Sequence, residues 1–514
     1  KRLNLVRLAE NDFQRFKRTD ETDHEIDFVT FQKKRQVGRY LYEANPGAHV
    51  SFKSTSLIRD LAPKKSWPII SIAVNEKDLN DPVYGILVNR DKKGREWERI
   101  AEVTYVENGR ITFESYAGLR MHGGKRLETH EFKPGFRLYF RRKYGVKNVP
   151  DGLILPNLNI PLRTLVIQTT AWPPGYPINN PLAYDISKQI GCIVPDTQMV
   201  EIYLNGKSYG MGYATEHLSR RQWGQRFGHE DYLFFVFRSH NSIEDVVGYA
   251  RKIRPAIEGQ LTPLLAEAGK TIDLNNLTKQ MISWFFSGTS DYCQGVAAYD
   301  RARSDAKLFW INWDMDQSFW DKSAIVNNLQ RKPWQQAGLN LFFYGDEPKS
   351  DCWRVSLFHR LLKESAEYKI KYLGLFVETL NHLLTQDFLY SRIKYYREML
   401  VQFGEPHEEY VSMLETFIRE RPYFLLLELK KKFDLNGPFS CKIVIPNGVS
   451  LEIDSYIYNS EYIGYYFKNT PIELSVPESF SSDFKYWLVD GEKITQRNIQ
   501  LQLSKDTTID AVFK

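Results

Sequence analysis

The stretch Trp310-Ile311-Asn312-Trp313-Asp314-Met315-Asp316-Gln317-Ser318-Phe319-Trp320 sets two carboxylates in alternation inside a run of aromatic and β-branched residues. Side chains at i and i+2 of an extended strand leave the same face. Read as a strand, the segment aims Asp314 and Asp316 into one small volume. Two like charges that close raise each other's pKa. Aromatic burial adds desolvation to that repulsion, and a cation held between the carboxylates relieves both. Asp314 and Asp316 are therefore candidate metal ligands. The alternative is a turn with both carboxylates in water, and the four large aromatics of the segment argue against it.

Working outward, the chain is long. At 514 residues it exceeds the roughly 250–300 at which one hydrophobic core stops growing, so two or three domains are expected. An apolar content of 42% with 14% aromatics is enough for folded cores and excludes a disordered chain. Lys and Arg number 69 against 63 Asp and Glu, and the resulting +6 is spread over a large surface. It lacks the concentrated basic stripe of a nucleic-acid binder, so no nucleic acid partner is expected. Cys192, Cys293, Cys352 and Cys441 show no paired spacing, so neither a disulfide framework nor a zinc site is read from them. No apolar stretch approaches the roughly 18 residues of a membrane span. The chain starts at Lys1-Arg2 without Met, as a processed or trimmed chain would, so the absence of a signal peptide is uninformative.

Residues 1–66 are highly charged and weakly patterned, and are read as an N-terminal extension and linker. From Trp67 onward the pattern is of strands, at 69–74, 83–88, 101–106, 111–116, 135–140, 162–169 and 199–204, with a helix at 181–190. Glu107-Asn108-Gly109 carries the Asn-Gly of a tight hairpin, so an antiparallel sheet is expected. Helical periodicity takes over at 243–257, 273–286 and from about 353 to 433. After Asp434-Leu435-Asn436-Gly437-Pro438 the composition returns to short strands. These begin at 441 and end at 513, with a hairpin signal at Val489-Asp490-Gly491-Glu492, and give a small all-β domain over 436–514. The fold class expected is α+β, with a main domain over 67–435.

Several separated stretches, in order, resemble the CotH kinase family of atypical protein kinases. They are Trp67-Pro68-Ile69-Ile70-Ser71-Ile72, Tyr84-Gly85-Ile86, Glu96-Trp97-Glu98-Arg99 and Gly118-Leu119-Arg120-Met121-His122-Gly123-Gly124. Phe136-Arg137-Leu138-Tyr139-Phe140, Tyr144-Gly145 and Tyr203-Leu204-Asn205-Gly206-Lys207-Ser208-Tyr209-Gly210 follow, then Glu216, Asp291 and Trp313-Asp314-Met315-Asp316. The resemblance runs from about 67 to 433. It implies a kinase-like two-lobed domain, with a β-rich N-terminal lobe over the nucleotide and a helical C-terminal lobe on the substrate side. It also implies ATP as cofactor with Mg²⁺ or Mn²⁺, and a protein substrate phosphorylated on Ser or Thr. The C-terminal β segment resembles small repeat domains of bacterial surface proteins. That implies a secreted or cell-envelope location and a glycan or protein contact through this domain.

Phosphoryl transfer needs metal ions on the triphosphate, a cation on the phosphates and a group that orients the nucleophile. Asp314 is the leading metal ligand and Asp316 the second. Asp291 follows the 273–286 helix in the loop Ser287-Gly288-Thr289-Ser290, where its carboxylate can meet a substrate hydroxyl as base or orienter; its other reading is an N-cap. Gly123 and Gly124 open a loop with Lys125, Arg126 and Lys133 that can present amides and cations to phosphates. The resemblance makes Lys133 the phosphate contact, although Pro134-Gly135 after it departs from the family's spacing; Arg137 is the fallback. Glu216 matches a family glutamate that pairs with the phosphate-binding cation or touches the nucleotide. His122 reads as a structural residue. Family members carry asparagines four or five residues after the aspartate at 291. Here Gln294 stands one residue early, either as a substitute metal ligand or as the mark of a lost second metal site. Two other readings stay open: a catalytically inactive surface or structural relative, and a kinase acting on a sugar or small alcohol.

Overall fold

The structure, a computed structural model, describes residues 26–30, 39–42, 58–60, 66–123, 133–169, 178–229, 232–237, 264–289, 295–319, 353–404 and 407–514. The chain divides into two compact units. The first comprises Lys1–Pro181, Pro195–Leu233 and Tyr396–Pro406; the second comprises Leu182–Val194, Phe234–Tyr395 and His407–Lys514.

In the first unit, β1 (Ile26–Thr30) and β2 (Arg39–Tyr42) form a two-stranded antiparallel sheet. The next seven strands close on themselves. They are β3 (Ile69–Val74), β4 (Arg99–Glu107), β5 (Arg110–His122), β6 (Gly135–Tyr139), β7 (Thr164–Thr169), β8 (Thr197–Leu204) and β9 (Lys207–Glu216), in the order β3-β4-β5-β6-β7-β9-β8. The antiparallel sheet read from the sequence closes into a seven-stranded barrel. Closure falls on β3, which pairs antiparallel with β4 and parallel with β8. β3 reads as a nearly continuous apolar run because both of its faces are covered: Ile70, Ile72 and Val74 enter the barrel core, Ile69 packs outside it with Ile58, Val106 and Tyr203, and all six of its residues are buried. Alternate residues of the other strands, among them Leu119, Phe136, Leu138, Leu165, Ile167 and Ala214, fill the barrel core. Residues Arg120, His122, Arg137, Tyr139 and Gln168, out of phase with that core set, take the other face.

Two hairpins carry the Asn-Gly signature. Asn108 and Gly109 have φ of 49° and 73°, and Asn205 and Gly206 have 49° and 76°, the paired positive values that match the right-handed twist of the flanking strands. The strand expected at 83–88 is instead a series of turns after α1 (Glu76–Asn80). Asp81 accepts from the amides of Val83 and Tyr84 at 2.8 and 3.2 Å and bends the chain there. Gly85 packs against it so closely that a Cβ would lie 2.4 Å from the Asp81 nitrogen. The apolar run at 83–88 is therefore not a strand: Val83 is exposed, and local side-chain capping overrides β propensity.

The remaining elements are α2 (Asn179–Gln189), α3 (Arg220–Arg226), β10 (Tyr232–Phe237), α4 (Leu264–Thr271), α5 (Leu274–Ser287), β11 (Gly295–Asp300) and β12 (Phe309–Ile311). After them come α6 (Trp353–Glu364), α7 (Ala366–Glu378), a π-helical turn (Thr379–Leu383), α8 (Gln386–Gln402) and α9 (Glu408–Phe433). The helix expected at 243–257 lies outside the described residues. In the second unit α5 is the central helix. Asp273 caps its start by accepting from the Asn276 amide, and Gly288 ends it in the left-handed region. Nearly every residue between is buried, with Phe285 and Phe286 against Phe358, Phe376 and Phe417.

The C-terminal strands run from β13 (Phe439–Val444) to β21 (Thr507–Phe513), with β16 (Tyr462–Tyr466) among them. They form a five-stranded and a four-stranded sheet whose buried positions alternate. With the barrel and the helices, they make the chain an α+β protein.

Candidate functional site

β12 pairs with β11 only as far as Ile311 opposite Val296. The two aspartates follow in a loop, which corrects the strand reading: the extended geometry that would aim them to one face is absent. On its other edge β12 meets Ile193, which forms a parallel bridge with Ile311 and accepts from the Asn312 amide at 2.8 Å; the ladder to β11 ends at Ile311. Asp314 then takes a left-handed conformation, φ 58°, which Asp tolerates better than a β-branched residue would. Met315 is buried, while Asp314 and Asp316 on either side of it are half-buried.

Three contacts hold this turn. Tyr184 on α2 accepts from the Asp314 amide through its hydroxyl oxygen at 3.1 Å. The Asn312 side chain donates to Ser187 Oγ at 2.9 Å and to Ser283 Oγ at 3.1 Å. At the far end Phe319 donates its amide to Ser287 O at 2.9 Å, on the last turn of α5. The same helix clamps the strand before the turn, since Asn276 exchanges two hydrogen bonds with the backbone of Trp310, at 2.7 and 3.0 Å.

Asp291 and Gln294 lie outside the described residues. Their described flanks are set by two buried guanidinium groups. Arg421 on α9 donates to the carbonyls of Phe285 and, at 3.1 Å, Phe286, capping the C-terminal end of α5. Burial pushes its pKa down to about 9. Arg354 on α6 lies 4.0 Å from the Trp284 ring centroid and donates to Gln280 at 3.1 Å. A Cβ on Gly295 would come 2.7 Å from its Nη1, so the guanidinium packs directly on the start of β11.

Among the described residues no group of three or more His, Cys, Asp or Glu side chains is arranged to hold a metal ion. The donors at the turn fit one in kind. Asp314 and Asp316 offer hard oxygen atoms suited to Mg²⁺ or Mn²⁺, on a segment whose buried neighbours fix it.

In the first unit, of the predicted phosphate contacts, Arg137 lies on β6 and Glu216 ends β9, while Lys133 precedes β6. Gly123, φ 148°, follows the last residue of β5, and Gly124 lies outside the described residues. Lys133 is exposed; its Nζ donates to Tyr209 O at 3.0 Å, while its own carbonyl accepts from Thr169 Oγ1 at 2.6 Å. Arg137 is half-buried and donates to His122 Nδ1 at 2.8 Å and to the Tyr139 hydroxyl at 3.3 Å. No carboxylate pairs with it among the described residues. A guanidinium can only donate, so His122 is neutral, with its proton on Nε2 facing the Gln168 amide at 3.0 Å. The Gln168 amide must then present its oxygen there. Burial, followed by the positive charge of Arg137, holds His122 well below the usual histidine range and brings His217 down to about 3. This patch stays cationic through Arg137 while its histidines remain uncharged.

Glu216 is fully buried. Its Oε1 accepts from Arg226 on α3 and from the Asp196 amide at 3.0 Å. Its Oε2 has no hydrogen-bond partner among the described residues. The cation beside Glu216 is thus Arg226, ten residues downstream, and neither Lys133 nor Arg137. Glu98 was read only as part of a motif. It is a buried hub that accepts from Arg120 at 2.6 and 2.9 Å, from Tyr144 at 2.7 Å and from Arg141. Both guanidinium groups flank the Tyr139 ring, at 4.5 and 4.7 Å. A Cβ on Gly118 would strike the Glu98 carboxyl carbon at 2.6 Å. The motif residues Glu98, Gly118, Arg120, Tyr139 and Tyr144 are therefore tied together in one structural network. Tyr184, Ser187, Ser283 and Arg226 carried no motif; only the fold brings them to these positions.

No helix among the described residues is long and apolar enough to cross a membrane. Residues 262–424 match the family model described as CotH kinase protein. The matched segment contains Asp291, Gln294, Asp314 and Asp316, while Gly123, Gly124, Lys133, Arg137 and Glu216 precede it. No curated protein matches the chain.

Proposed function

We infer, from the CotH kinase-family segment over residues 262–424, that the protein is an ATP-using phosphotransferase. It acts on Ser or Thr hydroxyls of a surface, coat or secreted protein. The observation that carries the reading is the position of Asp291, Gln294, Asp314 and Asp316 inside the matched segment. In this reading the β-rich part serves the nucleotide and the helical part the acceptor. Asp314 and Asp316 would hold Mg²⁺ or Mn²⁺, which when bound neutralises charge on the triphosphate. Arg137 offers a charge not neutralised by a carboxylate among the described residues, flanked by uncharged histidines, and suits a phosphate oxygen. Lys133 is a second cation for that role. Asp291 would orient the acceptor hydroxyl. Secretion to the cell envelope, with a glycan or protein contact through residues 436–514, completes the proposal.

One sequence feature favours a second reading, a catalytically inactive relative. Gln294 replaces the family's asparagine and stands one residue early.

Incubation with labelled ATP separates the two. The parent should transfer label, and Asp314→Asn should lose at least about 100-fold, since a metal-held charge contributes several kcal/mol in the transition state. Equal labelling by the variant would refute the metal assignment. Absence of any nucleotide-induced thermal stabilisation, with or without Mg²⁺ or Mn²⁺, would favour the inactive relative.

A further inference from the structure

We propose that Tyr184 is a positioning residue for the metal-binding turn, acting together with the Ser187, Ser283 and Asn312 cluster. The inference rests on the metal reading above, and Tyr184, Ser187 and Ser283 lie outside every motif of the sequence. Left-handed backbone at a non-glycine residue persists only when its surroundings fix it, and Asp314 has φ 58°. The group that fixes it is the buried Tyr184 hydroxyl, 3.1 Å from the Asp314 amide nitrogen.

The neighbours of Asp314 face inward and are anchored. Asn312 is buried, with its backbone amide on Ile193 O at 2.8 Å and its side-chain nitrogen on two serine hydroxyls at 2.9 and 3.1 Å. Met315 is buried too, its sulfur 3.6 Å from Ser187 Oγ. The Ser187 hydroxyl donates a hydrogen bond to Ala183 O at 2.6 Å, one turn earlier on α2. Residues 312 and 315 are buried, whereas Asp314 and Asp316 are half-buried, with one carboxylate oxygen of Asp316 turned into the interior. The Asn312 Oδ1 atom is buried with no hydrogen-bond partner among the described residues. If packing were the only task at 312, an apolar residue would serve better there; an asparagine suits a position whose amide must hold a turn in place.

Tyr184→Phe removes one oxygen and keeps the ring. In the full-length chain, amide hydrogen exchange over 312–318 should rise at least tenfold. Mn²⁺ affinity in the presence of ADP, followed by the electron paramagnetic resonance of the free ion, should fall about 10- to 100-fold, the usual effect of losing a group that orients a metal ligand. Tyr372→Phe is the control, because it removes another buried hydroxyl of the same unit, one without a hydrogen-bond partner among the described residues; it should change neither. Should Tyr184→Phe fail to fold, Ser283→Ala carries the same expectations. Unchanged exchange, or raised exchange with Mn²⁺ affinity unmoved, overturns the inference. Failure of the metal reading has a separate signature: Asp314→Asn then binds Mn²⁺ as tightly as the parent, and the inference falls with it.

Discussion

Glu216 shows what a single buried carboxylate does when only one of its oxygens is satisfied. Burial raises its pKa from 4.5 to about 7, and Arg226 and the Asp196 amide pull the other way without cancelling the shift. An acid whose folded pKa lies above its unfolded value binds the proton more tightly when folded. Its contribution to stability is complete below pH 4.5 and is lost as pH rises through about 7. Glu216→Gln keeps the shape and removes the titration. Thermal transitions of parent and variant should therefore converge in slope outside this window, while between pH 5 and 7 the parent should lose about 2 kcal/mol relative to the variant. Parallel pH profiles would show that Arg226 already holds Glu216 ionised throughout. Because Arg226 is contributed by α3, the pairing is invisible in the local sequence around Glu216.

At the scale of elements, two asparagines do the work of missing strands. β12 has β11 on one side, and Asn276 supplies both a donor and an acceptor to the Trp310 backbone. β16 is likewise the edge of its sheet, and Asn381 in the π-helical turn exchanges two bonds of 3.0 Å with the backbone of Tyr465. Asn276→Ala leaves a buried N–H and a buried C=O of β12 without these bonds. It should cost about 2–4 kcal/mol, read as a lower urea midpoint at unchanged slope; a loss below about 0.5 kcal/mol would mean that other contacts alone fix β12. These clamps also mark where sequence reading stops. The barrel strands and the Asn-Gly hairpins were legible because alternation and positive φ are local properties of the chain. The end of β12 at Ile311 was not, because the turn that follows, with Asp314 at φ 58°, is held by Tyr184, more than a hundred residues away in sequence. The apolar run at 83–88 failed for the opposite reason, a cap by Asp81 only two and three residues away. At the site, residue types at 314 and 316 pointed to metal chemistry, but the turn they occupy depends on Tyr184, Ser187 and Ser283, which no spacing rule selects.

At the scale of the whole molecule, the C-terminal strands are fastened to the helices of the second unit by a buried histidine. His382, in the π-helical turn, stacks between Tyr456 and Tyr462 at 4.6 and 5.4 Å, with the planes within 3° and 10°. Its Nε2 meets Asp454 at 2.9 Å and its Nδ1 meets the Tyr458 hydroxyl at 2.8 Å. Tyr466 donates to the same Asp454 oxygen at 2.7 Å, and Tyr456 donates to Glu378 on α7 at 2.8 Å. A π-turn is rare and is kept where it places a group that an α-helix would misdirect; here it aims Asn381 and His382 at successive features of the strand layer. The connection after α9 is short, so these side chains, rather than a long tether, decide whether the strands and the helices unfold together. His382→Leu keeps much of the volume but removes both ring nitrogens, leaving Asp454 and Tyr458 short of partners in a half-buried network. It should cost about 2–4 kcal/mol, and calorimetry should show the 439–513 strands melting ahead of the helices, where the parent melts them as one. A variant that loses less than about 1 kcal/mol and still melts in a single step would transfer the coupling to Asn381 and the Tyr456–Glu378 bond, which Asn381→Ala would then expose.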